Sequence, residues 1–341
     1  MDPRSYVQAS LRAQLMASTF ASTSVGEKPT ISVLVVAYNS ADVIDACLRS
    51  IAPACRNHSF EVLFVDNGDG STEARVADDF PWVQIVPSQG NVGFAAGNNL
   101  LAAHADGEYL LLLNPDAELE AEALDALMHG AKEHHEAAAW GGVTLNRDGQ
   151  PDLSNTVCLP SLGEMASRVV GRSSAAVAIH QDFTRDARVD VLSGSFVMFS
   201  RSAWDEVGGL DASYFLYSEE VDLFYRLGQK GYSFWRIGKA RGYHDLGHGE
   251  PLSETRLLYR AAGTMQFARL HWSKMHQLLA FLLLWAGAWQ RYLVGLLIGS
   301  WKSHYRLVGT SHRSIALRPS LWRHGYHPIK GLLAQTRENV N

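Results

Sequence analysis

The chain is short of cysteine, has no basic excess, and lacks an uninterrupted apolar run of membrane-crossing length. Each shortage removes a class of function. Its three cysteines, Cys47, Cys55 and Cys158, are an odd number without a CxxC pair, which disfavours a disulfide framework and a cysteine zinc site. They read as reduced core thiols of a cytosolic protein. Basic residues number 30 against 35 acidic, for a formal charge of -5, whereas a nucleic-acid binder carries a basic excess or stripe. No nucleic-acid partner is expected. The opening MDPRSYVQASLRAQLMASTF has one early arginine but no apolar core of a secretory signal. Residues 1 to 29 read as a leader, with 6 to 20 either a short amphipathic helix or loosely held. Near the other end, the uninterrupted apolar part of residues 278 to 289 is 12 residues long, short of the roughly 20 needed to cross a bilayer. Gln290 and Arg291 then interrupt it, so a spanning helix is not expected.

What is present is a regular alternation. With 341 residues and 47% hydrophobic content the chain can bury a sizeable core. ISVLVVAYN reads as a buried strand, ADVIDACLRSI as a helix and FEVLFVDNG as a strand. WVQIVPS, FAAGNNLLAAH, EYLLLLN and EAEALDALMHGAKEH continue the series. Strands apolar on both faces imply an α/β fold with a largely parallel sheet covered by helices. Residues 150 to 190 are less regular and read as an excursion shaping one side of a cleft. VDVLSGSFVMFS then resumes strand character, YFLYSEEVDLFYRLGQKG runs from an aromatic loop into a helix, YSFWRIG is a last strand, and the tail after residue 252 is mostly helical.

Ligands of such sheets bind beyond the carboxyl ends of the strands. Those ends read Ala37-Tyr38-Asn39, Asp66-Asn67-Gly68, Ser88-Gln89-Gly90-Asn91 and Asn114-Pro115-Asp116. Any one could be only a turn, but four on one edge point to a ligand rim, with Asp116 a carboxylate held rigidly at the end of a buried strand. Such a carboxylate suits Mg²⁺ or Mn²⁺, which use one or two protein carboxylates and leave room for phosphate oxygens. QGNVGFAAGNN sets Gly93 and Gly97 at a helix start, where backbone can approach phosphate or pack closely on a neighbour. SEEVDLFYR opens a helix with Ser218 as a candidate N-cap and with Glu219, Glu220 and Asp222 as either dipole complements or a general base. YHDLGHGE offers His244 and His248 in a loop, solvated or, for one near a diphosphate, on the metal with Asp116. In the tail, Trp285, Trp289, Tyr292, Trp301 and Trp322 mix with Arg291, Lys302, Arg306, Arg313, Arg318 and Arg323. That mixture suits helices lying in a membrane interface, or alternatively a buried helical pair or oligomer contact.

Taken in order, ISVLVVAYNS, VLFVDNGDGS, NVGFAAGNN, LLLLNPDAEL, SGSFVMFSRSAWDEVGGLDASYFLYSEEVDLFYRL and YHDLGHG resemble family 2 glycosyltransferases, and most of all the rhamnosyltransferase-like branch, over about residues 31 to 270. The resemblance implies a GT-A nucleotide-diphospho-sugar transferase fold over residues 30 to 252, with a nucleotide-binding half (30 to 145), an acceptor-side half (146 to 252) and a helical C-terminal region (253 to 341). It implies inverting transfer of a sugar from a nucleotide diphosphate, dTDP-L-rhamnose, to a hydroxyl of a saccharide or polyprenyl-diphosphate-linked acceptor in cell-surface polysaccharide synthesis. The enzyme would be peripheral on the cytoplasmic face of the inner membrane, with a homo-oligomer through the C-terminal helices as a further option. By the same resemblance Ala37, Asn39, Asp66, Asn67, Asn91, Gly93, Phe94, Gly97, Asn98, Asn114 and Asp116 follow the donor. Gly194, Ser195, Glu219 and Asp222 lie on the acceptor side, and Asp116 and His244 meet the metal. Asn114 stands where the family's DxD element begins. The usual Glu-Asp pair is Glu219-Glu220 here, so Glu220 matches the base with one methylene more, and the segment after Asp66 is shorter than the common form. The rival readings are transfer from another UDP- or GDP-sugar and a nucleotide-sugar-binding scaffold without turnover.

Overall fold

The computed structural model describes residues 28–146, 148–152, 156–170, 182–244 and 253–326. Residues 1–27 of the leader, residues 171–181 of the less regular excursion and His248 lie outside the described residues. The first half is β1 (Ile31–Ala37), α1 (Ile44–Ala54), β2 (Phe60–Asp66), α2 (Ser71–Asp79), β3 (Gln84–Ile85), α3 (Gly93–His104), β4 (Tyr109–Leu113), β5 (Ala117–Leu119), α4 (Ala123–Glu133) and β6 (Ala137–Leu145). Then come β7 (Thr156–Val157), α5 (Leu162–Val169), β8 (Ala187–Arg188), β9 (Val191–Leu192), β10 (Phe196–Ser200), α6 (Arg201–Val207), α7 (Glu219–Gln229) and β11 (Ser233–His244). Three helices close the chain, α8 (Glu254–His271), α9 (Lys274–Ile298) and α10 (Ser303–Leu317).

Nine strands form one sheet in the order β3-β2-β1-β4-β10-β6-β11-β5, with β8 also on β11. The β1–β2, β1–β4, β2–β3 and β6–β11 pairs are parallel, and β10 runs antiparallel between β4 and β6. The sheet is therefore mixed and mostly parallel, the GT-A arrangement. Two strands depart from the sequence reading. Ala137–Leu145 is wholly buried, yet its Ala- and Gly-rich sequence carries little strand propensity; Gly141 is small because Leu192 packs over it, 2.6 Å from where a methyl would stand. The last strand does not stop at Gly238 but continues to His244.

Apolar side chains fill both faces of the sheet. A third cluster joins α5 and the three tail helices to Tyr214 and its neighbours, so the tail packs on the loop that precedes α7. Trp322, expected at a membrane interface, is fully buried and donates its indole N–H to Ile315 O at 3.0 Å. Trp285 donates to Ala316 O at 2.9 Å, whereas Trp301 is 89% exposed. Cys47 and Cys55 are buried thiols as expected, but Cys158 is exposed.

The break expected at Gln290-Arg291 does not occur. α9 is one helix of 25 residues, long and apolar enough to cross a membrane by length and composition alone, or about 37 Å at 1.5 Å per residue. Its backbone meets α10 closely at Gly295 and Gly309, where a methyl on Gly309 would lie 2.6 Å from Gly295 Cα. Gly309→Leu is expected to cost about 1–3 kcal/mol through overpacking, read as a lower midpoint in chemical unfolding. Thr310→Leu, at an exposed neighbour, should leave the midpoint in place; equal midpoints for the two variants would show that the helices do not depend on this crossing.

Candidate active site

Register and turn hydrogen bonds bring the strand ends together. Ala37 pairs with Asp66 across β1 and β2, and Asn67 N donates to Ala37 O at 2.8 Å. Asn114 N donates to Ser195 O at 3.0 Å, tying the end of β4 to the start of β10. Asn67 also reaches α3, its side-chain amide donating to Gly93 O at 3.0 Å. Asp66, 1% exposed, holds its own turn: one oxygen accepts from Gly68 N at 2.7 Å and the other from Glu73 N at 3.2 Å. Any contact it makes with a nucleobase must use the remaining lone pairs. Asn39 takes a left-handed backbone, φ 51°, against the Gly68 turn.

Gly93 is needed for fit as well as for approach. Its φ is +86°, and a Cβ there would run into the backbone of Phe215, whose carbonyl accepts from Phe94 N at 2.9 Å. Asn91 Oδ1 accepts from Gly93 N at 3.3 Å, and Asn98 donates to Phe94 O at 3.0 Å. Gly97 lets α3 close onto Val36, which lies 2.9 Å from where a methyl would stand, and the Phe94 ring lies 3.4 Å from the equivalent point on Gly194. Donor-side and acceptor-side candidates thus share one wall.

At the other end of the sheet order, β11 and β5 pair antiparallel with His244 opposite Ala117. His244 Nε2 consequently stands 3.3 Å from Asp116 Oδ1 and 3.1 Å from the Asn114 amide nitrogen. Adjacent ligands of an octahedral divalent ion at about 2.1 Å lie roughly 3.0 Å apart, so the carboxylate and imidazole fit one cation. The amide of Asn114 can present its oxygen by a flip. A second candidate cluster, Glu133, His134 and Asp186, belongs elsewhere: the His134 ring stacks on Trp235 at 3.5 Å, nine residues up β11 from His244, or roughly 30 Å at 3.3 Å per residue.

The acidic cluster opens α7. Tyr217 and Ser218 both have left-handed backbones, φ 70° and 74°, an uncommon state for such residues. Ser218 occupies the N-cap position but makes no capping bond; that bond requires an extended backbone, and here the hydroxyl turns toward Gly263 of α8. Glu219 is 4% exposed, so it is not a solvated dipole complement. Glu219 Oε2 and Glu220 Oε2 are both buried without a hydrogen-bond partner among the described residues. Burial raises both carboxyls above their ordinary range; the charge of Glu220 pushes Glu219 further, while Arg260 pulls Glu220 back. The charge of Arg260 therefore favours the ionised form of Glu220.

Asp222 is different. It is 1% exposed, with one oxygen 2.6 Å from Arg226 Nε and the other 2.6 Å from His271 Nε2. Arg226 in turn donates to Val207 O at 2.8 Å and Gly209 O at 2.7 Å. Both oxygens of Asp222 are committed to α7 and α8, away from an acceptor role. The i,i+4 spacing of Asp222 and Arg226 is visible in SEEVDLFYR; His271, 49 residues on, is not. Asn99, also unforeseen, clamps the turn before the aromatic loop by exchanging bonds with Leu210.

With this geometry in view, the profile of glycosyl transferase family 2 matches residues 32–208. The chain belongs to glycosyl transferase family 2. It is 28% identical over 244 residues, 64% of this chain and 76% of the relative, to the N-acetylglucosaminyl-diphospho-decaprenol L-rhamnosyltransferase of Mycobacterium tuberculosis. It is 24% identical over 228 residues, 64% of this chain and 84% of the relative, to rhamnosyltransferase WbbL of Escherichia coli. A mannosyltransferase from Pyrobaculum calidifontis, solved with GDP-Man and Mn²⁺, shares the fold at TM-score 0.53 and 15% identity, covering 92% of this chain and 94% of that one. The chain is a glycosyltransferase with the GT-A fold.

The Asp222 ion pairs generate a pH prediction. Burial opposes ionisation, but the His271 hydrogen bond and the Arg226 charge outweigh it and hold the carboxyl below its usual range. Its contribution is therefore complete above the unfolded value of about 3.9 and fades as pH falls through the lower folded value. Asp222→Asn should cost about 3–5 kcal/mol at pH 7 and progressively less below about pH 4. Urea unfolding at pH 7 and pH 3 reads this; a penalty unchanged by acid would remove the charge from the explanation.

Proposed function

We propose that this glycosyltransferase moves L-rhamnose from dTDP-L-rhamnose, with inversion, to a hydroxyl of a saccharide carried on a lipid diphosphate. The observation that carries the reading is the buried, unpartnered carboxylate oxygen of Glu220 at the opening of α7, one short loop from Phe215, which hydrogen-bonds Phe94 of the donor-side wall. The similarity to two rhamnosyltransferases supports the choice of sugar, and the diphospho-decaprenol in the name of the mycobacterial relative supports the lipid diphosphate.

In this reading Ala37, Asn39, Asp66, Asn67, Asn91 and the α3 start around Gly93, Phe94, Gly97 and Asn98 hold the nucleotide, and Asn114, Asp116 and His244 hold Mg²⁺ or Mn²⁺. The ion would offset the charge that develops on the departing diphosphate. Gly194 and Ser195 shape the acceptor side. Glu220 accepts the proton of the attacking hydroxyl, and Glu219, the harder of the two to ionise, keeps its own proton beside it. Because burial raises Glu220, the deprotonated base is lost as pH falls through a value above the ordinary 4.5 of a glutamate.

Glu220→Gln should cut transfer about 10² to 10⁴-fold while nucleotide-sugar affinity stays nearly intact, and the acid limb of wild-type kcat/KM should fall above pH 4.5. Asp116→Asn should instead weaken metal-dependent donor binding, read by calorimetry. A screen of dTDP-, UDP- and GDP-sugars for hydrolysis identifies the donor. Near-normal turnover by Glu220→Gln beside a dead Glu219→Gln would move the base to Glu219, and no turnover with any donor would leave a scaffold.

We further propose that the enzyme is cytoplasmic and sits on the inner face of the membrane through α9 and α10. Met275, Leu279, Leu282, Leu293 and Leu297 form an exposed stripe at helical spacing, and Trp301 stands at the turn between the helices. Lys302, Arg306 and Arg313 are exposed nearby. The protein should float with anionic liposomes, less so as salt screens charge beyond about 8–10 Å, and Leu297→Ser with Trp301→Ser should abolish flotation. Flotation unchanged by that double variant, or a stripe covered by a second copy in solution, would sink the membrane reading.

A further inference from the structure

Where α5, α8 and α9 come together, Arg168 stands within electrostatic reach of both Arg260 and Arg291, and Arg260 within reach of Glu220. Arg291 on α9 donates through Nη2 to Arg168 O at 3.4 Å and through Nη1 to Gly287 O at 3.0 Å. A methyl on Gly287 would stand 3.6 Å from Val169, in ordinary contact, which shows α9 running alongside α5 here. Arg256 and Arg260 lie one turn apart on α8, and Arg260 is one turn before Gly263, whose Cα faces Tyr217 and Ser218 directly ahead of Glu219-Glu220. The charges of Arg256 and Arg260 both reach the Tyr217 hydroxyl.

Like charges gathered in this way are unfavourable unless something answers them. Burial and then the charge of Arg168 oppose ionisation of the half-buried Arg291, and the charge of Arg168 also acts on the exposed Arg260. Among the described residues the cluster meets two carboxylates: Glu164, 2.5 Å from Arg168 Nη2, and Glu220, which Arg260 feels at longer range. Neither Arg260 nor Arg291 makes a salt bridge among the described residues. Arg168, Arg256 and Arg260 are exposed and Arg291 half-buried, so the cluster is an open cationic patch. Forked guanidiniums in such a patch are suited to phosphate oxygens.

We propose that Arg168, Arg260 and Arg291, with Arg256 at the rim, bind the diphosphate ester of the acceptor. The inference rests on the acceptor reading above and adds the residues that recognise it. A donor diphosphate would be answered by a cation held at Asn114, Asp116 and His244; the acceptor diphosphate would be answered here by guanidiniums without one. A sugar esterified to a diphosphate held on Arg260 would extend along α8 toward Glu220, the group that takes its proton. Two anions then occupy separate seats on either side of the base.

The test uses the full chain with its donor site saturated by dTDP and Mn²⁺, and farnesyl diphosphate as the probe. Calorimetry should show binding that Arg168→Gln and Arg291→Gln each weaken about tenfold or more, the loss of a charge-assisted hydrogen bond, with dTDP affinity unchanged. Arg168→Gln lies on an exposed helix face and keeps the test readable if Arg291→Gln folds poorly. Asp116→Asn should do the reverse, weakening metal-dependent dTDP binding and sparing farnesyl diphosphate. Wild-type affinity in both arginine variants, or displacement of the probe by dTDP, would overturn the site. Inorganic diphosphate binding as tightly as the probe, with the same arginine dependence, would uphold the anion seat and overturn a lipid source. If wild-type protein failed to bind any nucleotide sugar, the donor reading would fall, while arginine-dependent binding of the probe would still stand or fall on its own.

Discussion

Gly242, Tyr243 and His244 pair antiparallel with Leu119, Glu118 and Ala117, and that three-residue ladder sets where the imidazole of His244 stands. Asp116 precedes the first residue of β5 and His244 ends β11, so each added pair in the ladder carries the histidine toward the carboxylate. β11 gains that length by also pairing in parallel with β6 up to Leu145. A nine-residue strand of alanines, glycines and a few larger side chains, buried on both faces, thus supports the reach of a histidine about a hundred residues away. Gly242 is part of the same constraint, since a side chain there would press on Glu118 O at 2.9 Å.

The second organising element is the loop from Tyr214 to Ser218. It touches the α3 start through Phe215, α8 through Gly263, and the region after α10 through Tyr326, whose hydroxyl donates to Leu216 O and, at 3.2 Å, to Tyr259 O. Two consecutive left-handed non-glycine residues persist only when surrounding structure over-determines them, and these three contacts supply that. The consequence is that α7 begins where the loop leaves it, with Glu219 and Glu220 directed into protein and not into solvent.

The strands with strong apolar runs were legible because burial on both faces writes itself as unbroken Val, Ile and Leu, as in ISVLVVA and YLLLL. Their ends were legible as a rim for the same reason: Asp116 follows four leucines and has to mark a boundary. What escaped the sequence depended on partners far along the chain. β6 has no strong propensity because its neighbours demand small residues, Gly141 under Leu192 among them. Asp222 read as an acid of a helix's first turn, and only the fold brings His271 to it. Ser218 read as a cap because its residue type is right, while its backbone is set by α8 and Tyr326. Trp322 and Trp301 are the same residue type in the same tail; one is fully buried and the other 89% exposed, a difference that composition cannot carry.

Two adjacent buried carboxylates are costly unless one stays neutral, because desolvation and mutual repulsion both oppose the doubly ionised state. The structure resolves the conflict asymmetrically. Glu219 bears burial and the charge of Glu220, while Glu220 has Arg260 in reach. Arg260 belongs to the tail, beyond the 32–208 span that marks the family. A helix outside that family-defining span therefore favours the ionised form of Glu220, the proposed base. Substitutions in α8 should accordingly be read for their effect on proton transfer before any effect on membrane contact is inferred from lost activity.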